Sequence, residues 1–237
     1  MMKDKFQSTP CYGYFPAYRS QFNDSEQFGA ELWKYVILSK VTLWYGAPKS
    51  GDDNLKEKIV LGIKCVYTDT MTGKKTTSHS HCGDITKEDV EKKELELVDN
   101  DFINKFYIGA DNAVTHIKLI TKNGQVIEVG NENVENKKTV ELNLSTDIQM
   151  VQSFFGCYDL YGLRALGCKY ISKKDFIFFN LMGILRLRHI FKTNKEERKK
   201  WENPEELEKL NYKMQTVARL CALPDNTFSG VIKFCAL

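Results

Sequence analysis

The chain has 237 residues, of which 42% are hydrophobic and 27% are charged. These proportions are typical of a soluble globular protein with a core of normal size. The 34 basic and 31 acidic side chains leave a net charge of only +3, which argues against the large basic excess of a dedicated nucleic-acid binder.

Seven cysteines are present, an odd number without a CxxC pair, and several of them lie in apolar runs. This pattern favours reduced thiols packed as small hydrophobic groups. We therefore expect an intracellular, reducing compartment, with a cytoplasmic, cytoskeletal or ciliary location favoured over secretion. The most apolar stretch, residues 176–187, is too short for a membrane span, which needs roughly 20 residues, and we expect none.

Residues 1–34 are rich in aromatic side chains and turn formers and show no helical or strand period. Polar disordered tails rarely carry so many rings. The segment is therefore predicted to be an extended arm that packs on its own domain or on a neighbour, with a poorly ordered tail as the alternative. The side chains predicted to bind a partner here are Tyr12, Tyr14, Phe15 and Tyr18.

Residues 35–172 form a succession of short segments in which apolar and polar residues alternate. Asn123-Gly124 joins two of these segments and is a strong β-hairpin signal. Short strands at intervals of about ten residues predict an all-β sandwich, barrel or prism. The predicted strands are 41–45, 59–67, 94–98, 115–121, 125–129, 139–144 and 166–171.

Residues 173–237 have a helical character. Asn203, Pro204 and Glu206 give a helix start with its capping box, and a second helix is predicted within 174–200. Isolated helices of this length are marginal, so they must dock on the β domain or on another protein. The apolar stripe predicted to make that contact is formed by Leu207, Leu210, Met214, Val217 and Cys221.

Several ordered stretches of the β segment resemble the jacalin-related lectin family. His81-Cys82-Gly83 resembles the "HGG" loop of that family. The other matching stretches are 59–67, 94–103, 106–109, 114–124, 151–156 and 163–167. The resemblance implies a mainly β fold, a jacalin-like β-prism of three Greek-key sheets at 35–172. An extended arm (1–34) and a helical extension (173–237) would flank it.

The resemblance also implies reversible binding of mannose- or galactose-type sugars, without metal or catalysis. By this resemblance, the candidate carbohydrate-binding residues lie at the last hairpin and are Gly156, Tyr158, Asp159 and Arg164. Arg164 stands where the family has an aspartate, and a guanidinium cannot accept hydrogen bonds from sugar hydroxyls. The glycine-rich N-terminal loop of the family has no counterpart before Tyr35. We therefore predict a degenerate sugar site, with a shifted sugar pose at Asp159 as the alternative.

Two further clusters, one of possible metal ligands and one of basic side chains, have structural as well as functional interpretations. His79, His81 and Cys82, with Cys65 as the only further candidate ligand, are interpreted as a polar loop rather than a metal site. The basic block at 186–200 is interpreted as a solvated helix face, an acidic-protein contact, or a contact to nucleic acid or lipid. No catalytic motif and no cofactor motif occurs, so we expect a non-enzymatic protein without a cofactor.

The leading hypothesis is a lectin-like interaction or scaffold subunit of a larger intracellular assembly, whose partners are other protein subunits. The alternative is a functional jacalin-type lectin that binds a glycan. A weaker third reading is an adaptor that uses the basic helix to bind acidic partners.

Overall fold

The computed structural model describes residues 7–28, 35–48, 57–70, 73–86, 88–98, 101–130, 139–143, 149–172, 174–177, 179–180 and 203–205. Most of this part of the chain is β-strand, with a 3-10 helix at Asp24–Phe28 and helical turns at 174–177, 179–180 and 204–205. The strands are β1 (Gln7–Ser8), β2 (Tyr12–Gly13), β3 (Ser20–Asn23), β4 (Val36–Gly46), β5 (Ile59–Asp69), β6 (Lys75–Thr77), β7 (His81–Cys82), β8 (Glu91–Glu96), β9 (Ile103–Ala110), β10 (Val114–Thr121), β11 (Val126–Gly130), β12 (Thr139–Asn143), β13 (Gln149–Tyr158) and β14 (Leu163–Ser172).

The strands form three antiparallel sheets. The first sheet has the order β6-β5-β4-β8, with β7 also on β5, and the second has the order β11-β10-β9-β12. In each of them three consecutive strands are followed by a fourth that returns beside the first, which is the Greek-key order. The third sheet has the order β1-β14-β13-β3, with β2 also on β14. The predicted mainly β architecture of three sheets is confirmed.

The largest hydrophobic cluster of the described residues has members from all three sheets. Because successive side chains of a strand point to opposite faces, the alternating segments place every second apolar residue inside. Phe106 of the second sheet and Phe154 of the third are fully buried and meet edge to face with their centroids 6.0 Å apart. Burial of such a side chain stabilises the fold by about 1.5–3 kcal/mol.

The Asn123-Gly124 hairpin forms as predicted. β10 pairs with β11 up to Ile120 and Val126, and the Gly124 amide donates to the Thr121 carbonyl over 3.0 Å. Gly124 has a φ of 86°, in the left-handed region that glycine adopts without strain. The turn residues therefore set the register of this hairpin.

The first strands of the chain belong to the third sheet. β1 and β2 pair with β14, and β3 pairs with β13 on the other side of the same hairpin. Phe22 of β3 lies in the core. The described part of 1–34 therefore packs on its own domain, which is one of the two surfaces expected for the extended arm. Its strands belong to the third sheet, so the prism begins before the predicted boundary at residue 35. Strands this short carry no period that sequence analysis could detect.

The start of the C-terminal segment packs on the prism. Phe176 is fully buried in a second cluster with Phe102, Met150 and Ile171. The Ser172 hydroxyl accepts a hydrogen bond from the Asp175 amide at 3.0 Å, which caps this helical turn. Farther along the chain, the Asn203 side chain accepts from the Glu205 amide at 3.1 Å, as the capping motif predicted. Residues 206–237, with the predicted stripe from Leu207 to Val217, lie outside the described residues, as does 181–202.

Candidate functional site

The turn of the last hairpin, between β13 and β14, is organised by the Asp159 carboxylate. Its Oδ1 accepts hydrogen bonds from the backbone amides of Tyr161 at 2.9 Å and Gly162 at 3.3 Å. Aspartate commonly folds a turn in this way, because its short side chain reaches amides two and three residues ahead. The turn thus uses one carboxylate oxygen to hold its own backbone.

The other carboxylate oxygen of Asp159 forms a nearly buried ion pair. Arg164 Nε donates to Asp159 Oδ2 over 2.6 Å, and the two side chains are only 4% and 11% exposed. Arg164 Nη1 also donates to the Asn112 carbonyl at 3.1 Å, and its guanidinium carbon lies 5.4 Å from the centre of the Tyr161 ring. Charges taken out of water need such partners on all sides. The guanidinium therefore ties the last hairpin to the turn between β9 and β10.

The predicted sugar-contact residues come together only in part. Asp159 and Arg164 are paired, but three donors of the chain itself occupy the carboxylate. Tyr158 directs its ring towards Phe22 and His81, with centroids 6.2 and 5.8 Å away, rather than towards the turn. Gly156 lies within β13. The acceptor that a sugar hydroxyl would need is therefore already engaged.

One glycine of the N-terminal segment does lie beside this hairpin. Gly13 pairs with Ala165 and has a φ of 128°. A Cβ at this position would stand 2.2 Å from the Arg164 carbonyl oxygen, so the close approach of β2 to β14 requires glycine.

The loop between β2 and β3, residues 14–19, is named here the aromatic loop. Because β2 pairs with β14 and β3 with β13, this loop crosses the hairpin, and the Tyr14 carbonyl lies 3.8 Å from Cys157 Sγ. Its rings face solvent, with Tyr14 50%, Phe15 44% and Tyr18 93% exposed. Tyr12, the fourth predicted partner-binding residue, instead packs partly buried against the core.

A cleft of about 360 Å³ opens beside the aromatic loop and is named here the sheet cleft. Gln21 and Asn23 flank the core residue Phe22 in β3, so they project from the outer face of the third sheet. Phe155, the pairing partner of Asn23, lies on the same face. The residues that line the cleft, among them Gly156 of the predicted sugar site, are Cys11, Phe15, Gln21, Phe22, Asn23, Glu26, Phe155 and Gly156.

The position of the Phe155 ring and the protonation of Cys11 decide which groups the sheet cleft offers to a ligand. The Phe155 ring lies across Gly167, where a Cβ would stand 2.6 Å from its Cζ. Burial and the neighbouring Cys157 raise the pKa of Cys11 to about 12, so this thiol stays protonated and unreactive. The cleft thus offers phenyl surface, amides and one carboxylate, but no nucleophile.

A buried polar network, which the sequence analysis did not detect, joins the N-terminal segment to the first sheet. Asp24 Oδ2 accepts from the Tyr67 hydroxyl at 2.5 Å, and Asp24 Oδ1 lies 2.7 Å from His81 Nε2. The His81 ring stacks on Phe22 with centroids 3.9 Å apart. Burial, with Cys65 and Asp24 nearby, raises the pKa of Tyr67 well above its usual value, so the phenol donates at neutral pH.

His81 is buried in the short strand β7, which pairs with β5, rather than lying in the polar loop that the sequence analysis predicted. His79 is exposed in the loop before β7, and Cys65 is buried. Burial raises the pKa of Cys65 well above its usual value, so this thiol is protonated at neutral pH. Among the residues placed by the structure, no three metal-ligating side chains come together.

No helix within the described ranges is long and apolar enough to cross a membrane.

Comparison with known proteins finds similarity only at the level of solved structures. No protein-family model and no curated protein matches the chain. Artocarpin, solved in complex with mannotriose, is 13% identical, with 71% of this chain and 99% of that chain covered at a TM-score of 0.50. A lamprey immune protein is 15% identical over 72% of this chain and 45% of that chain, also at 0.50.

The mannose-binding jacalin-related lectin AcmJRL from Ananas comosus is 12% identical, with coverage of 71% and 99% and a TM-score of 0.49. Identities this low establish the fold alone. The likeness to artocarpin and the three antiparallel sheets together show that this chain has a jacalin-like β-prism fold.

Proposed function

We propose that this β-prism is a non-catalytic protein-binding module whose sugar site is degenerate, and that it serves as an interaction subunit of a larger intracellular assembly. The observation that carries the proposal is the Asp159–Arg164 pair. A nearly buried guanidinium occupies the carboxylate of the last hairpin, and the turn amides fill its second oxygen. A saccharide would have to break this pair and leave a buried charge without a partner, which is strongly unfavourable.

The aromatic loop supports a protein as the ligand. Tyr14, Phe15 and Tyr18 all expose their rings within one short segment of chain. Exposed aromatic side chains are enriched at protein interfaces, because they bury a large area at a low cost in side-chain entropy. The five described cysteines are all free thiols, which supports the reducing compartment of the proposal.

The first experiment tests sugar binding. Methyl α-mannoside and methyl α-galactoside are titrated into the isotope-labelled full chain, and amide shifts are followed by NMR. We expect no saturable shift of the Asp159, Tyr161 or Gly162 amides. Saturable binding at the last hairpin that Asp159→Ala removes would refute the proposal in favour of a working jacalin-type lectin, the role that the artocarpin–mannotriose similarity favours.

The second experiment tests protein docking. The tagged full chain and its Phe15→Ser/Tyr18→Ser variant are used to purify bound proteins from cells that express the chain. Val126→Ser serves as the matched control, because Val126 is also about half exposed but lies on β11 of the second sheet. We expect stoichiometric partners with the parent chain and with the control, and their loss from the loop variant. Equal recovery by all three chains would contradict docking through the aromatic loop.

A further inference from the structure

We infer that β3 is a docking edge for an extended segment of a partner protein, which adds to the third sheet as a further strand. The added segment places an apolar side chain in the sheet cleft and a basic side chain beside Glu26. This inference rests on the proposed function, because β3 directly follows the aromatic loop and both contact the same partner.

One edge of β3 has no pairing partner. The strand lies at the end of the third sheet, and all four of its residues pair with β13 without a bulge. In an antiparallel pair, every second residue directs its N–H and C=O groups away from the partner strand. Within the described residues, Ser20–Asn23 form no backbone hydrogen bonds besides those to β13. β3 therefore presents a short template of donors and acceptors for a further strand.

Charged side chains protect three edge strands of the other two sheets. In β8, every position of Glu91–Glu96 except Leu95 is charged. The Lys93 ammonium donates to the Glu128 carbonyl of β11 at 2.8 Å, which covers an acceptor of that edge, and β6 begins with Lys75. Side chains of this kind, lysine above all, keep other chains from pairing with an exposed edge. The sequence of β3, Ser-Gln-Phe-Asn, contains none of them.

The sheet cleft borders β3 and supplies a pocket for a side chain. Gln21 and Asn23 line the cleft together with Phe15 and Phe155. The side chains of an added strand alternate between the two faces of the sheet, so every second one lies on the outer face with these residues. A phenylalanine at such a position packs on the rings of the cleft. The cleft therefore selects an apolar side chain in the added segment.

Glu26 adds a charge at one end of the edge. It lies in the 3-10 helix that follows β3, it is exposed, and its Oε1 accepts from Asn23 Nδ2 at 2.8 Å. It forms no ion pair with a described residue. Antiparallel pairing is the more stable arrangement per residue, and it directs the N-terminal end of the added segment towards Glu26. The segment should therefore carry lysine or arginine before its apolar residue.

An acetylated and amidated hexapeptide of sequence TKTFTT carries this pattern and serves as the probe. It is titrated into the isotope-labelled full chain, and amide shifts and hydrogen exchange are followed by NMR. We expect saturable binding with a dissociation constant below about 1 mM. Bound peptide should slow the exchange of alternate amides within Ser20–Asn23, because these amides then donate to the added strand.

Variants of the peptide separate strand addition from contact through side chains alone. One isomer carries an N-methyl group on its phenylalanine, and the other carries it on the following threonine. Because neighbouring residues face opposite edges, one and only one isomer directs its methyl group at β3, and we expect that isomer to bind at least about tenfold more weakly than the other. TKTSTT, which lacks the apolar side chain, should also bind at least about tenfold more weakly than TKTFTT.

A charge exchange tests the role of Glu26. Glu26→Lys should weaken the binding of TKTFTT by about two- to fivefold and strengthen that of TETFTT, in which glutamate replaces the lysine. Glu88→Lys is the matched control, because Glu88 is also an exposed glutamate but lies outside the third sheet. We expect the control to leave both affinities unchanged. Equal responses of the two variants would contradict a basic side chain beside Glu26.

Three results with the peptides would each overturn the inference: no binding of TKTFTT at about 1 mM, equal binding of the two N-methyl isomers, or slowed exchange at another edge strand in place of β3. Dimerisation of the chain through β3 without binding of the peptide would overturn it as well. Each of these results leaves the proposed function intact, because the purification with Phe15→Ser/Tyr18→Ser tests the aromatic loop without any peptide.

Discussion

Replacing Tyr67 by phenylalanine removes a single oxygen from the centre of the prism. The Tyr67 ring is fully buried, and its hydroxyl is a donor to Asp24 Oδ2. The other carboxylate oxygen of Asp24 contacts His81 Nε2. Asp24 itself is only 4% exposed, so water cannot take the place of the missing hydroxyl. The variant therefore keeps the ring packing and leaves one buried carboxylate oxygen without its donor.

The expected loss of stability has two sources, the hydrogen bond itself and the buried oxygen that is left without its donor. A hydrogen bond to a charged group contributes about 1.5–3 kcal/mol, and a buried oxygen left without a donor adds a desolvation penalty. We expect Tyr67→Phe to lower the free energy of unfolding by about 2–3 kcal/mol. For a domain of this size each kcal/mol corresponds to about 2–4 °C in the melting temperature, so the midpoint should fall by roughly 5–10 °C.

Urea unfolding followed by tryptophan fluorescence and circular dichroism measures the change. Tyr45→Phe is the control, because Tyr45 is half-buried at the edge of the same core, and its change should stay within about 0.5 kcal/mol. Adding Asp24→Asn to Tyr67→Phe should cost less than the sum of the two single changes, because both act on one network. If Tyr67→Phe costs no more than Tyr45→Phe, or if the two network variants are additive, the reasoning is wrong.

Three smaller predictions concern the backbone, one carboxylate and one thiol. Gly124→Ala should cost about 1 kcal/mol in urea unfolding, and Gly130→Ala should cost more. Both glycines have a positive φ, but of the two only Gly130 would bring its new Cβ against backbone, at a distance of 2.0 Å. Equal costs would contradict this prediction. Hydrogen bonds from lysines, that of Lys40 foremost, lower the pKa of Glu94 to about 2. The Glu94 carboxylate should therefore stabilise the fold above pH 4.5 and lose this effect as the pH falls towards 2. A carboxyl NMR titration with its midpoint at 4.5 would rule this out. Burial raises the pKa of Cys168 to about 12. Iodoacetamide at about pH 8 should therefore label this thiol only after unfolding, as measured by peptide mass mapping. Labelling of the folded chain would count against this prediction.

Most of the fold could be predicted from local pattern. Alternating segments such as 125–129 became strands because their period places one face in the core. The strands β1 to β3 could not be predicted, since each has only two to four residues and its partner lies about 130–160 residues away. Their place in the third sheet is decided by tertiary pairing rather than by local propensity.

The residues of the last hairpin could be singled out from the sequence, but their geometry could not. Arg164 could be recognised as a substitution for an acceptor because the surrounding "L-x-A-x-G" pattern fixes its position. Its pairing with Asp159 depends on the shape of the turn, which the sequence pattern does not specify. The Asp24–His81 contact joins residues 57 positions apart, and no short motif signals such a pair.

The closure of the third sheet by both ends of the prism has a consequence during synthesis of the chain. The Thr9 hydroxyl accepts from the Cys168 amide, across 159 positions of sequence. At about 5–20 residues per second, a translating ribosome exposes β1 to β3 on the order of 10 s before their partners β13 and β14 emerge. During this interval the aromatic side chains of the N-terminal segment have no sheet to cover, and they are available to chaperones or to a neighbouring nascent chain.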